Sequence, residues 1–187
     1  MKSAASPSHD ARGGTPVSML VLHYTGIVSA EAALSRLCDP AAKVSAHYAI
    51  DEDGSVYAMV PEDRRAWHAG LSCWGGIRDV NAHSIGIELV NPGHEFGYRA
   101  FAQAQIAALK ELARGILQRH AIPAWNVLGH SDVAPARKDD PGELFPWEGL
   151  ARDGIGVWPH ASDSTIGAEA LLWWGYDPDA PAEKRIM

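Results

Sequence analysis

Hydrophobic positions along the chain form short apolar runs and one long helical stripe, and together these predict alternating strands and helices. The predicted strands cover residues 17–23, 46–50, 55–60, 84–90 and 125–129. The runs at 17–23 and 84–90 are almost continuously apolar, which is typical of strands buried on both faces of a sheet. The turn sequence from Asp51 to Gly54 separates the second and third runs and predicts a hairpin.

Helices are predicted between these strands. Ser29 is a good N-cap for a helix that ends near Cys38, before Asp39 and Pro40. The clearest helix covers 101–120, with one apolar stripe at helical spacing formed by Ile106, Leu109, Leu112, Ala113, Ile116 and Leu117. Shorter helices are expected at 147–152 and 166–174, and long loops at 61–83 and 130–146. This order predicts an α/β fold, a single domain with a central mixed β-sheet flanked by helices.

Composition narrows the class of protein. The 187 residues contain 47% hydrophobic and 21% charged residues, as expected for a globular protein that buries a core. A formal net charge of −7 argues against a nucleic-acid partner, because phosphate binding needs clustered Lys and Arg. No run of apolar residues is long enough to span a membrane.

The N-terminus lacks the apolar segment of a signal peptide, which predicts a cytoplasmic protein, or a periplasmic one if an export signal has been removed. The oligomeric state is open, with a monomer as the default expectation.

Two histidines and one aspartate suggest a metal site. His23 ends the first buried strand, His130 follows the strand at 125–129, and Asp140 lies ten positions later. Each alone is ordinary, since a histidine at the end of a buried strand is more often a hydrogen-bonded core residue. Together they would supply the three protein ligands of a catalytic zinc ion, which leaves a fourth position for water. Such an ion lowers the pKa of bound water from about 16 to about 7.

Two further residues could carry out chemistry beside such a metal. Glu88 lies inside the apolar strand 84–90, where alternation places it on the face opposite to Ile87 and Leu89. A carboxylate there costs free energy unless it has a partner or a task, although a solvated sheet face is the alternative. Lys138 precedes Asp140 by two residues and could stabilise an oxyanion, whereas an isolated lysine is usually only a surface residue.

Several motifs in order resemble the type 2 N-acetylmuramoyl-L-alanine amidase family, which is related to the peptidoglycan recognition proteins. They are LVLHYT at 20–25, SAHY at 45–48, RAWHAG at 65–70, SIGIEL at 84–89, GHSDVAP at 129–135, RKDDPG at 137–142 and LFPW at 144–147. The resemblance covers about 17–159, and the complete ordered set is highly specific.

The resemblance implies roles for individual residues. It places one Zn²⁺ on His23, His130 and Asp140, with Glu88 and Lys138 as the catalytic pair. Residues matching the family's substrate groove are His47, Trp67 and His68, which could instead support the site from behind. The implied domains are an extended segment at 1–16, a zinc amidase domain at 17–159, and a C-terminal helix and tail at 160–187. That last part resembles the start of an incomplete peptidoglycan-binding module.

The implied function is zinc-dependent hydrolysis of the amide between N-acetylmuramic acid, in its 1,6-anhydro form, and L-alanine of peptidoglycan fragments. The main alternative is a recognition module that binds such fragments without cutting them. A peptidase is disfavoured because the sequence has no His-Glu-x-x-His helix. A structural protein with buried histidines is the remaining alternative.

Overall fold

The protein was analysed as a computed structural model that describes residues 1–158, 168–181 and 183. Its strands, in chain order, are β1 (Lys2–Ser3), β2 (His9–Ala11), β3 (Met19–Tyr24), β4 (Tyr48–Ile50), β5 (Val56–Ala58), β6 (Arg64–Ala66), β7 (Ser84–Leu89) and β8 (Val127–Gly129). Its helices are α1 (Ala30–Cys38), α2 (Val80–His83), α3 (Gly93–Phe96), α4 (Gln103–His120), α5 (His130–Val133), α6 (Trp147–Arg152) and α7 (Ala168–Trp174).

The central sheet has six strands in the order β1-β5-β4-β7-β3-β8. Strand β3 is parallel to both β7 and β8, and β4 is parallel to β7 but antiparallel to β5. The sheet is therefore mixed, and the β4–β5 hairpin predicted around Asp51–Gly54 is confirmed. The fold agrees with the α/β domain that the hydrophobic pattern predicts.

Side chains alternate across β3 and separate two cores. Leu20 and Leu22 pack with the predicted stripe of α4 on one face, whereas Met19 and Val21 pack on the other face with a loop-rich cluster that includes Trp74. Because strand residues alternate, His23 shares the face of Met19 and Val21. The face away from α4 is therefore the one on which polar chemistry can be placed.

Some short elements lie where the sequence predicted only loops or a longer strand. The stretch 61–83 contains β6 and α2, and 130–146 begins with α5. The predicted strand at 125–129 starts only at Val127, because a 3-10 turn covers Ala124–Asn126. Helices α2 and α5 have only four residues, too few to show a helical period. Strand β6 has the sequence Arg-Arg-Ala, without an apolar run, and forms by pairing with the distant β2.

The N-terminal segment 1–16 is extended and is incorporated into both sheets. Strand β1 pairs with the edge strand β5, and β2 forms a separate two-stranded sheet with β6. Arg12 is buried and donates hydrogen bonds to the backbone carbonyls of Ala82 and Arg64. The segment is therefore attached to the domain by β1, β2 and Arg12 and does not extend away from it.

The C-terminal segment returns to the domain after residues 159–167, which lie outside the described part. Helix α7 falls within the predicted helix at 166–174. After it, Gly175 accepts a backbone hydrogen bond from Gly75, and the Tyr176 ring packs edge-on against Trp74. Among the described residues, no helix is both long and apolar enough to cross a membrane.

Candidate metal centre and active-site cleft

The ends of three adjacent parallel strands bring the predicted site residues together. His23 lies near the carboxyl end of β3, directly in register with Glu88 on β7. His130 follows the last residue of β8, on the other side of β3. Side chains in register on neighbouring parallel strands share a face, so His23 and Glu88 project on the same side of the sheet. The carboxyl edge of an open α/β sheet is where ligands commonly bind.

Three ligand atoms form a compact triangle at this edge. Nδ1 of His23 lies 3.0 Å from Nδ1 of His130, and each nitrogen lies 3.1 Å from Oδ2 of Asp140. All three residues are buried. The structure thus assembles the predicted ligand set from positions up to 117 residues apart.

Local hydrogen bonds place Asp140 and orient His130. The backbone N–H of Ser131 donates to the carbonyl of Asp140 over 2.9 Å, which ties the Asp140 loop to the start of α5. Nε2 of His130 lies 3.0 Å from the carbonyl of Ala69 and must donate to it. With Nε2 engaged by Ala69, Nδ1 is the ring nitrogen that faces the triangle.

The triangle fits a single metal ion. Ligands about 2.0–2.2 Å from a tetrahedral zinc ion lie roughly 3.3 Å apart, close to the observed spacing. A nitrogen lone pair and a carboxylate oxygen facing each other at 3.1 Å repel unless a cation or a proton lies between them. The donor set and its size are therefore compatible with a metal site.

Burial sets the protonation of the site. It lowers the pKa of His23 to about 4, so the ring is neutral at pH 7 and able to ligate a cation. Burial raises the pKa of Glu88 well above its usual range; Asp140 adds to this effect and Lys138 opposes it. Oε2 of Glu88 is shielded from solvent and has no hydrogen-bond partner among the described residues. A buried carboxyl with a raised pKa beside a candidate metal site is suited to proton transfer.

A cleft of about 390 Å³ opens onto the triangle. Glu88, His130, Lys138 and Asp140 line it, so the predicted catalytic pair shares one cavity with two of the three predicted metal ligands. Its rim is formed by the residues after β3, by part of α1 including Arg36, and by the loop that carries Arg137. The cleft therefore offers a proton acceptor, a cation and a buried ligand triangle to one bound molecule.

The three residues expected at the substrate groove are placed differently from one another. Trp67 and His68 line the cleft. His47 is fully buried behind His68, with the ring centroids 5.7 Å apart, and its Nδ1 accepts the backbone N–H of Gly86. His47 is not among the residues that line the cleft, a position that fits the alternative role of supporting the site from behind.

The structure adds residues that the pattern did not assign. Oδ1 of Asn81 accepts the backbone N–H groups of His68 and Ala69, at 3.1 and 2.8 Å. Arg137 donates to the carbonyls of Ala69 and Leu71. Both side chains hold the loop that carries His68, and nothing in the hydrophobic period marks them. The available signals are that Arg137 begins the motif RKDDPG and that Asn81 lies three residues before the motif SIGIEL.

The fold and the site define a class of protein. The fold is α/β, and a buried cluster of two histidines and one carboxylate lies at the strand ends, beside the carboxyl of Glu88 and Lys138. This arrangement is typical of mononuclear metal-dependent hydrolases. Comparison with known families makes the class specific. The sequence profile of the N-acetylmuramoyl-L-alanine amidase family matches residues 13–143. The chain belongs to this family and is an amide-hydrolysing enzyme.

Relatives that are similar in sequence are also amidases of this family. The chain is 39% identical to the N-acetylmuramoyl-L-alanine amidase AmiD of Escherichia coli (strain K12), over 90% of this chain and 71% of that protein. It is 36% identical to the 1,6-anhydro-N-acetylmuramyl-L-alanine amidase AmpD of the same strain, over 76% and 85%.

Two solved complexes are similar in fold. One is E. coli AmiD with the substrate anhydro-N-acetylmuramic acid-L-Ala-D-γ-Glu-L-Lys, with a TM-score of 0.80 and 37% identity, covering 94% of this chain and 79% of that one. The other is AmpDh3 from Pseudomonas aeruginosa with an anhydromuramic pentapeptide, with a TM-score of 0.77 and 34% identity, covering 95% and 79%.

Proposed function

We propose that this amidase uses Zn²⁺ held by His23, His130 and Asp140 to hydrolyse the amide between N-acetylmuramic acid and L-alanine of peptidoglycan fragments. The observation that carries the proposal is the buried triangle of ligand atoms, 3.0–3.1 Å on a side, beside Glu88, whose Oε2 has no hydrogen-bond partner in the described part of the chain. Zinc bound there would supply Lewis-acid chemistry, acidifying a water molecule and polarising the amide carbonyl.

Glu88 acts in this proposal as general base and then as general acid. It takes a proton from the attacking water and returns it to the departing amine of L-alanine. The raised pKa of its carboxyl, caused by burial and by Asp140, makes Glu88 a stronger proton acceptor than an exposed carboxylate, as the first step requires. The apolar strand β7 holds the side chain on the cleft face, in register with His23.

Lys138 stabilises the negative charge that develops on the carbonyl oxygen. It lines the cleft together with Glu88 and Asp140, so an ammonium group faces the space that a bound amide would occupy. A cation placed where charge appears only in the transition state lowers the barrier without tightening substrate binding. This separates its role from that of Trp67, for which we propose contact with the bound fragment.

The 1,6-anhydro form of the sugar is the proposed substrate. Support comes from the two similar solved complexes, which hold anhydromuramyl peptides, and from the similarity to AmpD. The catalytic unit in this proposal is the segment 17–159. Segment 1–16 joins it through β1 and β2, and the C-terminal part from 160 onward joins it through Tyr176.

Mass spectrometry of the purified enzyme with a 1,6-anhydro-N-acetylmuramyl tripeptide tests the proposal. Free tripeptide should appear, a metal chelator should stop its release, and added Zn²⁺ should restore it. Binding of the fragment without release would make the protein a recognition module. Release that persists after complete metal removal would refute the metal-dependent mechanism.

A further inference from the structure

The side chain of His68 lies between the hydroxyl of Ser84 and the proposed metal ligand His23. Nε2 of His68 is 3.1 Å from Oγ of Ser84, and its Nδ1 is 3.0 Å from Nε2 of His23. The Ser84 hydroxyl donates its only proton to the carbonyl of Val80, over 2.6 Å. These contacts form a single chain of hydrogen bonds that ends at a ring of the ligand triangle.

The direction of every hydrogen bond in this chain is determined. Because Ser84 donates to Val80, its oxygen can only accept from Nε2–H of His68. Neutral His68 then presents a lone pair at Nδ1, so Nε2 of His23 must carry the proton that joins the two rings. His23 is left with a lone pair at Nδ1, the atom that faces His130 and Asp140.

The ring of His68 is held firmly in this place. A Cβ added at Gly86 would approach the ring to 2.4 Å, so only glycine at this position of β7 allows the ring to lie against the strand. On the backbone side, Asn81 binds the N–H of His68. Both ring nitrogens are engaged within the protein, which leaves neither for a substrate.

We infer that His68 is a positioning residue which, oriented by Ser84, fixes His23 in the tautomer and ring orientation that present Nδ1 to the metal. This inference rests on the proposed metal site and selects, for His68, the alternative of supporting the site from behind over contact with substrate. Hydrogen-bond partners of ligating histidines raise ligand basicity and restrict the ring, and their loss weakens metal binding about 10–100-fold.

The substitutions His68→Asn and His68→Leu form a matched pair. The two new side chains have nearly the same shape, but only the amide of asparagine keeps an acceptor near the position of Nδ1. The dissociation constant for Zn²⁺ is measured by competition with a chelator. We expect His68→Leu to weaken zinc binding about 10–100-fold and His68→Asn to stay within about threefold of wild type.

A second readout needs no metal and no turnover. Long-range ¹⁵N–¹H correlation spectra of the metal-free protein report which nitrogen of His23 carries the proton. Wild type should show the proton on Nε2, and His68→Leu a mixture or the Nδ1–H form. If His68→Leu fails to fold, Ser84→Ala removes the orienting hydroxyl with a smaller change and should shift zinc affinity in the same direction.

Two results would overturn the inference: equal zinc affinity in the asparagine and leucine variants, or a proton on Nδ1 of His23 in the wild type. Failure of the proposed function gives a different result. In that case the wild-type protein binds no zinc at all, while the tautomer of His23 still shows whether His68 orients the ring.

Discussion

The hydroxyl of Tyr176 donates a short hydrogen bond to Oδ1 of Asp132, which links the C-terminal segment to the helix that begins at His130. The other carboxylate oxygen of Asp132 accepts the backbone N–H of Gly129 over 2.7 Å. Burial raises the pKa of Asp132, so its carboxylate depends on these two donors. A contact far along the chain therefore supports the backbone on both sides of a proposed metal ligand.

Tyr176→Phe should lower the free energy of unfolding by about 1–3 kcal/mol, because it leaves a buried carboxylate oxygen without its donor. Urea unfolding measures the change. Tyr57→Phe is the matched control, since the Tyr57 ring packs beneath Lys2 and, among the described residues, its hydroxyl has no hydrogen bond to a carboxylate. Equal unfolding midpoints for the two variants would show that the Asp132 contact contributes nothing.

Glu88→Gln should reduce turnover of the anhydromuramyl tripeptide by at least about 10²-fold, because the amide cannot accept a proton from water. The metal content of the purified variant should equal that of wild type, since Glu88 is not one of the three ligand residues. Glu111→Gln, an exposed change on α4, serves as control and should leave turnover unchanged. Near wild-type rates in Glu88→Gln would remove Glu88 from the chemistry.

Lys138→Met should lower kcat by about 10²–10³-fold with little change in KM, because the lost ammonium acts on charge present only in the transition state. Steady-state kinetics separates the two constants. Lys43→Met removes an exposed ammonium that does not line the cleft, and it should leave both kcat and KM unchanged. A rise in KM with unchanged kcat would instead assign Lys138 to substrate binding.

Gly86→Ala should destabilise the protein by about 3 kcal/mol and weaken zinc binding, because its Cβ would overlap the His68 ring. Gly149→Ala in α6 meets nothing within 4 Å and should stabilise slightly, by about 0.5–1 kcal/mol. Chemical unfolding and chelator competition are run on both variants. A stable Gly86→Ala protein with normal zinc affinity would show that the ring can move without consequence.

The metal-free enzyme should lose stability as the pH falls from about 7.5 to about 5. Burial lowers the pKa of His47 and of His23 from 6.5 to about 4 in the native state. Between these values the unfolded chain binds protons that the native protein does not, so the unfolding free energy falls with pH. The loss from His47 alone is about 2 kcal/mol at pH 5.

Protonation of Glu88 changes the unfolding free energy in the opposite direction to protonation of the histidines. Its raised pKa means that the native state binds the proton more tightly, which adds stability as the pH falls. The measurement is therefore a urea titration at both pH values in Glu88→Gln, where this contribution is absent. The lowered pKa of Glu62, about 2, changes stability only below about pH 4.5. An unfolding free energy that is flat across the range would contradict the burial of neutral histidines.

The sequence by itself determined the apolar strands and the long helix, because these elements carry a hydrophobic run or period, whereas β1, β2 and β6 do not. Strands β3 and β7 were readable as apolar runs, and the stripe from Ile106 to Leu117 is the side of α4 that packs on the sheet. Alternation along β7 also predicted that Glu88 faces away from Ile87 and Leu89, and the structure confirms it: those two residues pack with α4, while Glu88 lines the cleft.

Only the tertiary structure decided how the polar residues divide their tasks. Spacing along the chain does not reveal that Nδ1 of His23 and Nδ1 of His130 lie 3.0 Å apart, because that distance results from β3 lying between β7 and β8. Nor does it distinguish His47, which is buried behind His68, from His68, whose two ring nitrogens are bound by Ser84 and His23. Residue type determines which hydrogen bonds a side chain can make. Which partners it meets depends on the strand order and on loops whose sequences show no hydrophobic periodicity.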